Sequence, residues 1–469
     1  MSHREILEEF QFMSLLGDDE RLKEHCGGKI KINKEEIKEK IVKKTIRLSV
    51  VGLGYVGLNI ACLFAKNKFI VCGFDINEEK IRKLKDKINP IPEEQWLNPY
   101  IERLYVSTDV KSAALIGDII FVAVPTPFKD SKTDLNYLKS ALRSVRENIK
   151  GKILVVESTV PPGTTEKLVG TEIEESTGLK AGEDFGLAHS PERIDPSSNR
   201  NFIWNTPKVV GGINSMSTEI VAFAYSQVID KVIPVLSPRT AEFVKVIENT
   251  QRNVNIALVN LYAKTAEKLN VDIEEALSAA STKWNFIKFT PGCGVGGECI
   301  DDSARMLVEA MDELDLDSTL VKESSNINGS MPEFTVKKLW ESSKVIGKNL
   351  KDMELGVLGL AYKGNSSDVR NSPSLKLIKS LKKLGCEHIT AYDPLVSDTI
   401  AVGVRREGTL EEALKGVECV VIATDHSEFR DLNPAIFTDA GVKLVIDGRN
   451  CLDKEKVKSL GLIYKGIGR

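Results

Sequence analysis

The sequence is poor in the residues that most often bind metals or exchange protons near neutral pH. It holds only 5 histidines in 469 residues, which disfavours histidine-centred catalysis and imidazole metal sites. Its 8 cysteines are scattered and include no Cys-x-x-Cys pair, which argues against a zinc knuckle or a redox dithiol. We therefore predict that the protein has no metal site.

A charge excess and long apolar runs are also missing. Lys and Arg total 64 against 67 for Asp and Glu, so there is no basic surplus of the kind that favours nucleic acid. No stretch approaches the ~20 apolar residues of a membrane-spanning helix, and no secretory h-region precedes the first charged segments. These absences predict a cytoplasmic protein with neither nucleic acid nor membrane as a partner.

Apolar strand-like runs alternate with helical patterns in two separate blocks of the sequence, which is typical of doubly wound parallel sheets. The first block has predicted strands at 46–51, 69–74, 118–124, 152–157 and 185–188, with a helix at 59–68. The second block has predicted strands at 354–360, 388–392, 418–423 and 443–446. The fold class is therefore α/β, with two Rossmann-like domains.

Between the two blocks, residues 238–269 contain no glycine and follow Pro238. Their spacing predicts one long, deeply buried helix, with apolar residues at 243, 244, 246, 247, 254, 256, 258, 259 and 261. Further helices are expected to about residue 345. The predicted domains are a charged helical extension (1–44), two Rossmann-like domains (45–237 and 346–469) and a helical middle (238–345). The extension could dock a partner, but packing on its own subunit is favoured.

A glycine-rich turn follows the first predicted strand and opens the first helix, which is the context of a dinucleotide fingerprint. Its glycines allow a tight turn and let backbone N–H groups approach a pyrophosphate. Asp75 ends the second strand, 23 residues after Gly52. A carboxylate there binds the ribose 2′-hydroxyl and repels a 2′-phosphate, so NAD is predicted over NADP. The motif reads Gly52-Leu53-Gly54-Tyr55-Val56-Gly57.

Hydroxyl side chains follow two later strands of the first block. Thr126 and Thr159 come directly after predicted strands, where ligands of open α/β sheets bind. The same hydroxyls could instead cap helix N-termini, and the local pattern does not separate the two interpretations.

Lys245 and Asn249 share one face of the long helix, with Arg252 nearby. For that face a solvated polar stripe is the simpler interpretation.

Cys299 ends a loop that contains four glycines, at 292, 294, 296 and 297. Most isolated cysteines are small buried hydrophobic residues. Glycines at this density cost chain entropy unless the backbone must approach something closely. We therefore favour a nucleophilic role for Cys299, in which the thiol captures an aldehyde covalently before a second oxidation.

The cationic loop of the second block, with Lys363 and Arg370, suits a phosphate.

The order of the motifs along residues 46–469 resembles the UDP-glucose/GDP-mannose dehydrogenase family. The motifs are GLGYVG, PTP, EST with PPGTT, SPER, KVVGG, AEFVKVIENT, PGCGVGGEC, AYKGNSSDVRNSP, YDP, ATDH and DGRN. The resemblance implies an NAD-dependent, four-electron oxidation of a nucleotide sugar at C6, from alcohol to carboxylate. It also implies a UDP-sugar substrate, a UDP-binding second Rossmann domain, and a homodimer or higher homo-oligomer formed through the long helix.

The resemblance also implies roles for individual residues. Cys299 matches the nucleophile, which carries a thiohemiacetal and then a thioester. Lys245 and Asn249 match the pair that binds the sugar and stabilises the developing oxyanion, and Glu192 matches the acid/base glutamate. Thr126 matches the residue that positions water and cofactor. The remaining matched residues are cofactor-binding Lys80, Thr159 and Arg370, and substrate-binding Arg193, Arg252, Gly296 and Lys363.

Two segments distinguish this chain within the family. The run Pro191-Glu192-Arg193-Ile194-Asp195-Pro196 resembles the N-acetylhexosamine branch, so UDP-N-acetylglucosamine or UDP-N-acetylmannosamine is favoured over UDP-glucose. The family cysteine is normally followed by x-Pro-x-Asp, but here the proline is absent, with Asp301 in its place, and Ser303 stands at the aspartate position.

Asp302 would replace that aspartate if the register shifted by one residue. Carboxylates beside the thiol, at Glu298, Asp301 and Asp302, disfavour the thiolate. These departures leave alternatives to the full four-electron oxidation. The enzyme could hydrolyse its thioester slowly, carry out a single oxidation or catalyse an epimerisation, or the protein could be a non-catalytic member of the family that only binds nucleotide sugars.

Overall fold

The computed structural model describes residues 32–129, 132–194, 202–297, 299–396 and 403–469. Within these ranges the chain forms two compact units, one up to Lys245 and one from Val246 to Arg469. The boundary falls inside the long helix. No helix in these ranges is long and apolar enough to cross a membrane.

The first unit is built on a sheet of eight strands in the order β10-β9-β8-β7-β4-β1-β2-β3. Neighbouring strands are parallel except β8 and β9, which are antiparallel. The strands of this unit, including the short pair β5 and β6, are β1 Arg47–Val51, β2 Ile70–Phe74, β3 Tyr105–Ser107, β4 Ile119–Val122, β5 Phe128–Lys129, β6 Lys132–Thr133, β7 Ile153–Val156, β8 Gly186–His189, β9 Lys208–Gly212 and β10 Val232–Val235.

Helices cover both faces of this sheet and bury two apolar clusters against it. They are α1 Lys34–Val42, α2 Tyr55–Lys66, α3 Glu78–Lys85, α4 Asn98–Ile101, α5 Ser112–Ile116, α6 Asn136–Val145, α7 Thr171–Thr177 and α8 Ser215–Ser226, with a π-helical stretch at Thr165–Gly170 before α7. Helix α1 packs on α8 of the same unit through buried Ile37 and Ile41 and an ion pair between Lys34 and Glu219. This is the packing favoured for the described part of segment 1–44; residues 1–31 lie outside the described ranges.

The second unit contains a fully parallel six-stranded sheet in the order β13-β12-β11-β14-β15-β16. Its strands are β11 Leu355–Leu358, β12 Ile389–Tyr392, β13 Arg405–Arg406, β14 Cys419–Ile422, β15 Leu444–Asp447 and β16 Ile463–Gly466. Both sheets reverse their strand order beside the first strand of the block, between β1 and β4 and between β11 and β14. Such switch points are where ligands of α/β sheets bind. The predicted fold class, two Rossmann-like parallel sheets with a helical middle, is confirmed.

Helices of the middle region and of the second sheet complete the structure. They are α9 Pro238–Leu269, α10 Ile273–Ala280, α11 Cys299–Glu313, α12 Thr319–Gly329, α13 Met331–Val345, α14 Pro373–Lys383, α15 Leu410–Leu414, α16 Ser427–Arg430, α17 Ala435–Asp439 and α18 Lys454–Ser459. Every predicted strand lies within two residues of an observed one at either end.

The long helix α9 has the predicted bounds, but the prediction that it is deeply buried was wrong for part of its length. Phe243, Ile247, Leu258 and Leu261 are each more than 40% exposed. Besides apolar residues such as Val246 and Val259, the buried side of the helix carries polar residues. Their hydrogen bonds offset the cost of burial; these residues are Glu242, Asn249, Asn253 and Asn260. Apolar spacing alone does not reveal that a helix buries amides and exposes aliphatic side chains.

Candidate active site

The glycine-rich turn of the first unit has the form that a dinucleotide requires. Gly52 has a φ of +90°, and a Cβ there would lie 2.4 Å from the Ala123 carbonyl oxygen. A Cβ on Gly57 would lie 1.8 Å from the Gly52 oxygen, so both glycines are needed for packing of α2 on the sheet. A Cβ on Gly54 would meet no atom within 4 Å. The N-terminus of α2 therefore opens onto space where a pyrophosphate fits its N–H groups.

Asp75 directly follows β2 and ties the glycine-rich turn to the next helix. Its carboxylate is 7% exposed and accepts hydrogen bonds from the backbone N–H groups of Leu53, at 2.8 Å, and Asn77, at 2.9 Å. Lys80 Nζ lies 2.5 Å from the same carboxylate. Asp75, the predicted ribose ligand, thus also holds the turn in shape, and Lys80, a predicted cofactor contact, pairs with it.

Polar side chains link the ends of β4 and β7, next to the switch point. Thr126 Oγ1 donates to the Thr159 carbonyl oxygen at 2.6 Å, and Ser158 Oγ accepts from Val124 N at 3.0 Å. The hydrogen bond of the Thr126 hydroxyl therefore joins two strand ends and does not cap a helix. Because Thr126 is half-buried at the carboxyl edge of the sheet, it stays a candidate for contact with a ligand.

The first two residues of α2 fix that helix to the segment beside it. The Tyr55 hydroxyl donates to a Glu94 carboxylate oxygen at 2.5 Å, and Val56 packs against the first apolar cluster. Their backbone N–H groups lie in the first turn, whose N–H groups have no partner within the helix. The side chains of Tyr55 and Val56 therefore fix the start of α2 to its surroundings and leave their backbone N–H groups at the helix N-terminus.

Three buried charges meet behind the strand ends of the first unit. Lys208, at the start of β9, is 2% exposed in its side chain, and its Nζ lies 2.7 Å from Glu157 and 3.0 Å from Glu192. Glu157 also accepts a hydrogen bond from the Tyr225 hydroxyl. Glu192 accepts two backbone N–H groups, from Arg193 at 2.6 Å and Ile194 at 2.9 Å. Glu192, predicted as the acid/base residue, is thus part of a charge cluster of Glu157, Lys208, Glu192 and Tyr225.

The pKa values of the two glutamates in this cluster are shifted in opposite directions. Burial, reinforced by the neighbouring Glu192, raises the pKa of Glu157 to about 7 despite the opposing Lys208 and Tyr225. Burial also opposes ionisation of Glu192, but Lys208 and the backbone N–H groups of Ile194 and Arg193 outweigh it and lower the pKa of Glu192. The asymmetry has a clear cause, since Glu192 has two backbone donors that Glu157 lacks.

In the second unit, Cys299 is exposed and is the first residue of the fifteen-residue helix α11. The Asp301 carboxylate is paired with Arg305 one turn later, at 2.8 Å. This pairing reduces the negative charge that the sequence places next to the thiol. A helix N-terminus favours a thiolate or an oxyanion, so the position suits a nucleophile.

The glycine-rich loop before Cys299 is pressed against the first βα loop of the second sheet. A Cβ on Gly296 would lie 2.5 Å from Tyr362 Cβ and 2.7 Å from Pro373 Cδ. Gly297 N donates to the Arg370 carbonyl oxygen at 2.9 Å. The close approach that the glycines permit is therefore to the protein's own loop. Gly296, predicted to touch substrate, contacts that loop in the structure.

Asn249 of α9 is buried and donates through Nδ2 to Ser303 Oγ at 3.0 Å. Ser303 is itself 1% exposed on the face of α11 that meets α9. The residue at the usual aspartate position thus keeps its place beside the predicted oxyanion amide. Asp302 is half-buried one position earlier on the helix, and successive side chains diverge by about 100° around a helix.

The remaining predicted residues divide between the two units. Lys245, in the first unit, is half-buried on α9, and Arg252, in the second, is exposed on the same helix. Arg193 Nη1 donates to the Pro207 carbonyl oxygen at 2.7 Å in the first unit. Lys363 is half-buried on the first βα loop of the second sheet, where Arg370 pairs with Asp368 at 2.6 Å.

Sequence reasoning missed Glu157, Lys208 and Tyr225. A signal was present, because a lysine and a glutamate flank otherwise apolar strands at 153–156 and 208–212. Charged residues at such positions are almost never buried unless paired. The pairing itself depends on β8 lying between β7 and β9 in the sheet, which the sequence order does not reveal.

Three domain models of the UDP-glucose/GDP-mannose dehydrogenase family match the chain. The NAD binding domain matches residues 46–229, the central domain residues 239–330 and the UDP binding domain residues 356–454. The NAD binding domain match includes the glycine-rich turn and the N-terminus of α2, and the UDP binding domain match includes most of the second sheet.

Individual relatives match nearly the whole chain. UDP-N-acetyl-D-mannosamine dehydrogenase of Pyrococcus horikoshii is 35% identical over 431 residues, covering 90% of this chain and 99% of the relative. UDP-N-acetyl-D-glucosamine 6-dehydrogenase of Salmonella typhi is 32% identical over 399 residues, covering 82% and 91%. The solved structure of the UDP-D-ManNAc dehydrogenase from Pyrococcus horikoshii superposes with a TM-score of 0.82 at 34% identity, over 90% of this chain and 99% of that one.

Proposed function

The chain belongs to the UDP-glucose/GDP-mannose dehydrogenase family, and from this premise we propose that it oxidises the C6 alcohol of a UDP-N-acetylhexosamine to the uronate. It is an NAD-dependent UDP-sugar dehydrogenase. The observation that carries the choice of sugar is the near full-length match to relatives named for UDP-N-acetyl-D-mannosamine and UDP-N-acetyl-D-glucosamine. The segment of Pro191 to Ile194 with its following Asp195-Pro196 supports the same branch.

NAD fits the first unit on the unit's own geometry. The first turn of α2 offers backbone N–H donors next to the open space at Gly54, which suits a pyrophosphate. Asp75 at the end of β2 supplies the carboxylate that suits a ribose diol. When bound, NAD accepts the hydride in each oxidation.

Covalent capture by Cys299 is the central step of the proposed mechanism. The exposed thiol at the start of α11 attacks the C6 aldehyde and forms a thiohemiacetal, and oxidation of that adduct leaves a thioester on Cys299. Water then cleaves the thioester and releases the carboxylate. Each covalent step keeps the sugar on the enzyme, so the reactive aldehyde is not released.

The oxygen at C6 develops negative charge as the thiol adds to the aldehyde and again as water adds to the thioester. We propose that the ammonium of Lys245 and the amide of Asn249 donate to this oxygen, because fixed donors at a developing oxyanion lower the barrier most. Glu192 exchanges the proton of the alcohol, and Thr126 orients water. Arg193, Arg252, Gly296 and Lys363 are proposed substrate contacts, and Lys80, Thr159 and Arg370 proposed cofactor contacts.

A second candidate is a member of the family that oxidises the sugar but hydrolyses its thioester poorly. The observation that favours it is Ser303, whose hydroxyl accepts a hydrogen bond from Asn249 where the family normally has a carboxylate. UDP-glucose as substrate is the alternative within the same chemistry.

A panel of UDP-sugars tests the proposal. The protein is incubated with UDP-N-acetylmannosamine, UDP-N-acetylglucosamine or UDP-glucose, with NAD and NADP in parallel, while absorbance of the reduced cofactor and product mass are recorded. Two NADH per uronate formed from an N-acetylhexosamine, with NAD preferred because of Asp75, is the expected result. Turnover confined to UDP-glucose would reject the choice of sugar, and equal efficiency with NADP would reject the role of Asp75.

A further inference from the structure

The charge cluster of Glu157, Lys208, Glu192 and Tyr225 does not balance. Its two carboxylates and one ammonium sum to −1 when all three ionise, and all three side chains are at most 7% exposed. A net charge removed from water is costly unless it is compensated. Uptake of one proton makes the cluster neutral and removes this cost.

The geometry assigns that proton to Glu157. Glu192 is held in its ionised form by three donors: Lys208 at 3.0 Å and the backbone N–H groups of Arg193 and Ile194. Glu157 has only Lys208, at 2.7 Å, and the Tyr225 hydroxyl. The pKa values agree with this order, because burial raises that of Glu157 to about 7 while that of Glu192 is lowered.

Glu192 by itself is a poor proton acceptor. A carboxylate with three donors and a depressed pKa holds an added proton weakly, whereas an effective general base has a pKa near the working pH. The proposed oxidation must nevertheless remove the proton of the C6 hydroxyl as the hydride leaves. Another group in contact with Glu192 must therefore take up the proton that Glu192 removes from the hydroxyl.

We propose that Glu157 is a positioning residue for the oxidation, which acts through Lys208 and stores the proton that Glu192 removes from the sugar hydroxyl. The inference rests on the proposed function. The hydroxyl proton moves to Glu192, a Lys208 N–H proton moves to Glu157, and the proton on Glu192 restores the ammonium. One O–H bond breaks and one forms, no electrons cross the cluster, and its charge changes from −1 to 0.

The other titratable groups facing the cluster within the first unit do not compete for this proton. His189, on β8, is fully buried, and burial together with Lys208 lowers its pKa to about 3, so it stays neutral. Burial and the adjacent Glu157 raise the pKa of Tyr225 well above its usual value, so its hydroxyl keeps its proton. The Arg193 guanidinium is bound to the Pro207 carbonyl oxygen at 2.7 Å.

The first test needs no substrate. Infrared difference spectra of the protein between pH 5 and pH 9 record the C=O band of a buried carboxylic acid. The Glu242→Gln background is used, because burial also raises the pKa of Glu242 to about 7. A band that titrates near neutral pH is expected, and it disappears on adding Glu157→Gln. Its absence from the background protein, or its persistence in Glu157→Gln, would overturn the assignment.

The second test compares two variants that act in opposite directions. The kcat/KM profile of the wild-type enzyme should rise with pH through the titration of Glu157. In Glu157→Gln the acid limb should move to lower pH, with kcat at pH 8 reduced about 10- to 100-fold, a part of the 10²–10⁴-fold that positioned proton transfer contributes. In Tyr225→Phe, which removes a donor to the ionised carboxylate, the acid limb should move to higher pH.

The two tests separate failure of the inference from failure of the proposed function. A wild-type protein that turns over no UDP-sugar, yet shows the infrared titration, would reject the function and leave the proton site standing without a reaction. Variants that lower kcat equally at every pH, without moving the acid limb, would show that Glu157 is only structural and reject the proton-storing role.

Discussion

Cys299 combines exposure with the field of a helix N-terminus. The backbone N–H groups at the start of α11 suit the negatively charged oxygen of an adduct formed at this position. Asp301 opposes this field, but its pairing with Arg305 at 2.8 Å neutralises much of its charge. The other described cysteines of the second unit, Cys293, Cys386, Cys419 and Cys451, are buried or half-buried, and burial raises the pKa of each.

Replacing Cys299 with Ala should abolish uronate formation and leave binding of NAD and UDP-sugar within a few-fold, because the thiol acts by covalent capture. Product mass and calorimetric titration measure the two effects. Cys293→Ala is the matched control from the same loop: it should keep the chemistry and lose about 0.5–3 kcal/mol of stability. Uronate formation by Cys299→Ala would remove the thiol from the mechanism.

Ser303 stands where the resemblance places an aspartate, and its position beside Asn249 makes thioester hydrolysis the step to examine. A hydroxyl held at 3.0 Å by an amide is a far weaker base than a carboxylate. A burst of NADH followed by slow turnover is expected, with the sugar attached to Cys299 in intact-protein mass spectra. Ser303→Asp should speed the slow phase, and Asp302→Asn should change it little.

A shifted register would reverse that pattern, since Asp302 would then be the base and its loss would be severe. Steady turnover with no adduct, in a protein where Asp302→Asn is also silent, would exclude both versions.

Among the elements, the N-terminal part of α9 holds the loop that follows β7. Glu242 is 1% exposed and accepts the backbone N–H groups of Gly163 and of Thr165, the latter at 2.7 Å. Thr165 begins the π-helical stretch that precedes α7, and Gly163 lies two residues before it. Since Thr159 lies a few residues earlier, Glu242 sets the path of the chain beside the predicted cofactor contact.

Burial raises the pKa of Glu242 to about 7, against the backbone donors that oppose it. A folded-state pKa above the unfolded value means that the folded protein binds the proton more tightly. The contribution of Glu242 to stability is therefore largest below about pH 4.5 and is lost as the pH rises to about 7, by about 3 kcal/mol for such a shift.

Urea unfolding of the wild-type protein and of Glu242→Gln at pH 5 and pH 8 measures this effect. The wild-type protein should lose more stability between the two pH values than the variant, and the contribution of Glu157 cancels in the comparison. Equal losses would show that Glu242 stays ionised throughout.

For the whole molecule, the exposed apolar side chains of α9 are the most evident unexplained surface. Phe243, Ile247, Leu258, Leu261 and Tyr262 are each 41–44% exposed on this helix. Clustered apolar exposure of this kind marks interaction surfaces. We propose that two copies of the chain pair through α9, as the resemblance implied.

Sedimentation velocity should give a species of twice the chain mass, and Ile247→Glu should shift it toward the monomer. Leu320→Glu is the matched control, because Leu320 is 70% exposed on α12 and lies outside the proposed surface. A wild-type monomer, or a dimer that resists Ile247→Glu, would reject pairing through this helix.

Local patterns in the sequence were sufficient for nine strands, for the long helix and for the dinucleotide fingerprint. They missed the other strands, which are β3, β5, β6, β9, β10, β13 and β16. Strand runs, the fingerprint at 52–57, Asp75 and the bounds of α9 are properties of neighbouring residues: periodicity, glycine in a left-handed turn and a carboxylate after a strand. They need no knowledge of which strands pair, so composition and spacing determine them.

Long-range packing decided the rest. The Glu157–Lys208 pair exists because β7, β8 and β9 are neighbours in the sheet, and Ser303 meets Asn249 because α11 lies on α9. The same packing explains the glycines before Cys299, whose missing side chains make room for Tyr362 and Pro373. Such contacts join residues far apart in the chain, and their energies depend on burial and partner geometry, which exist only once the chain has folded.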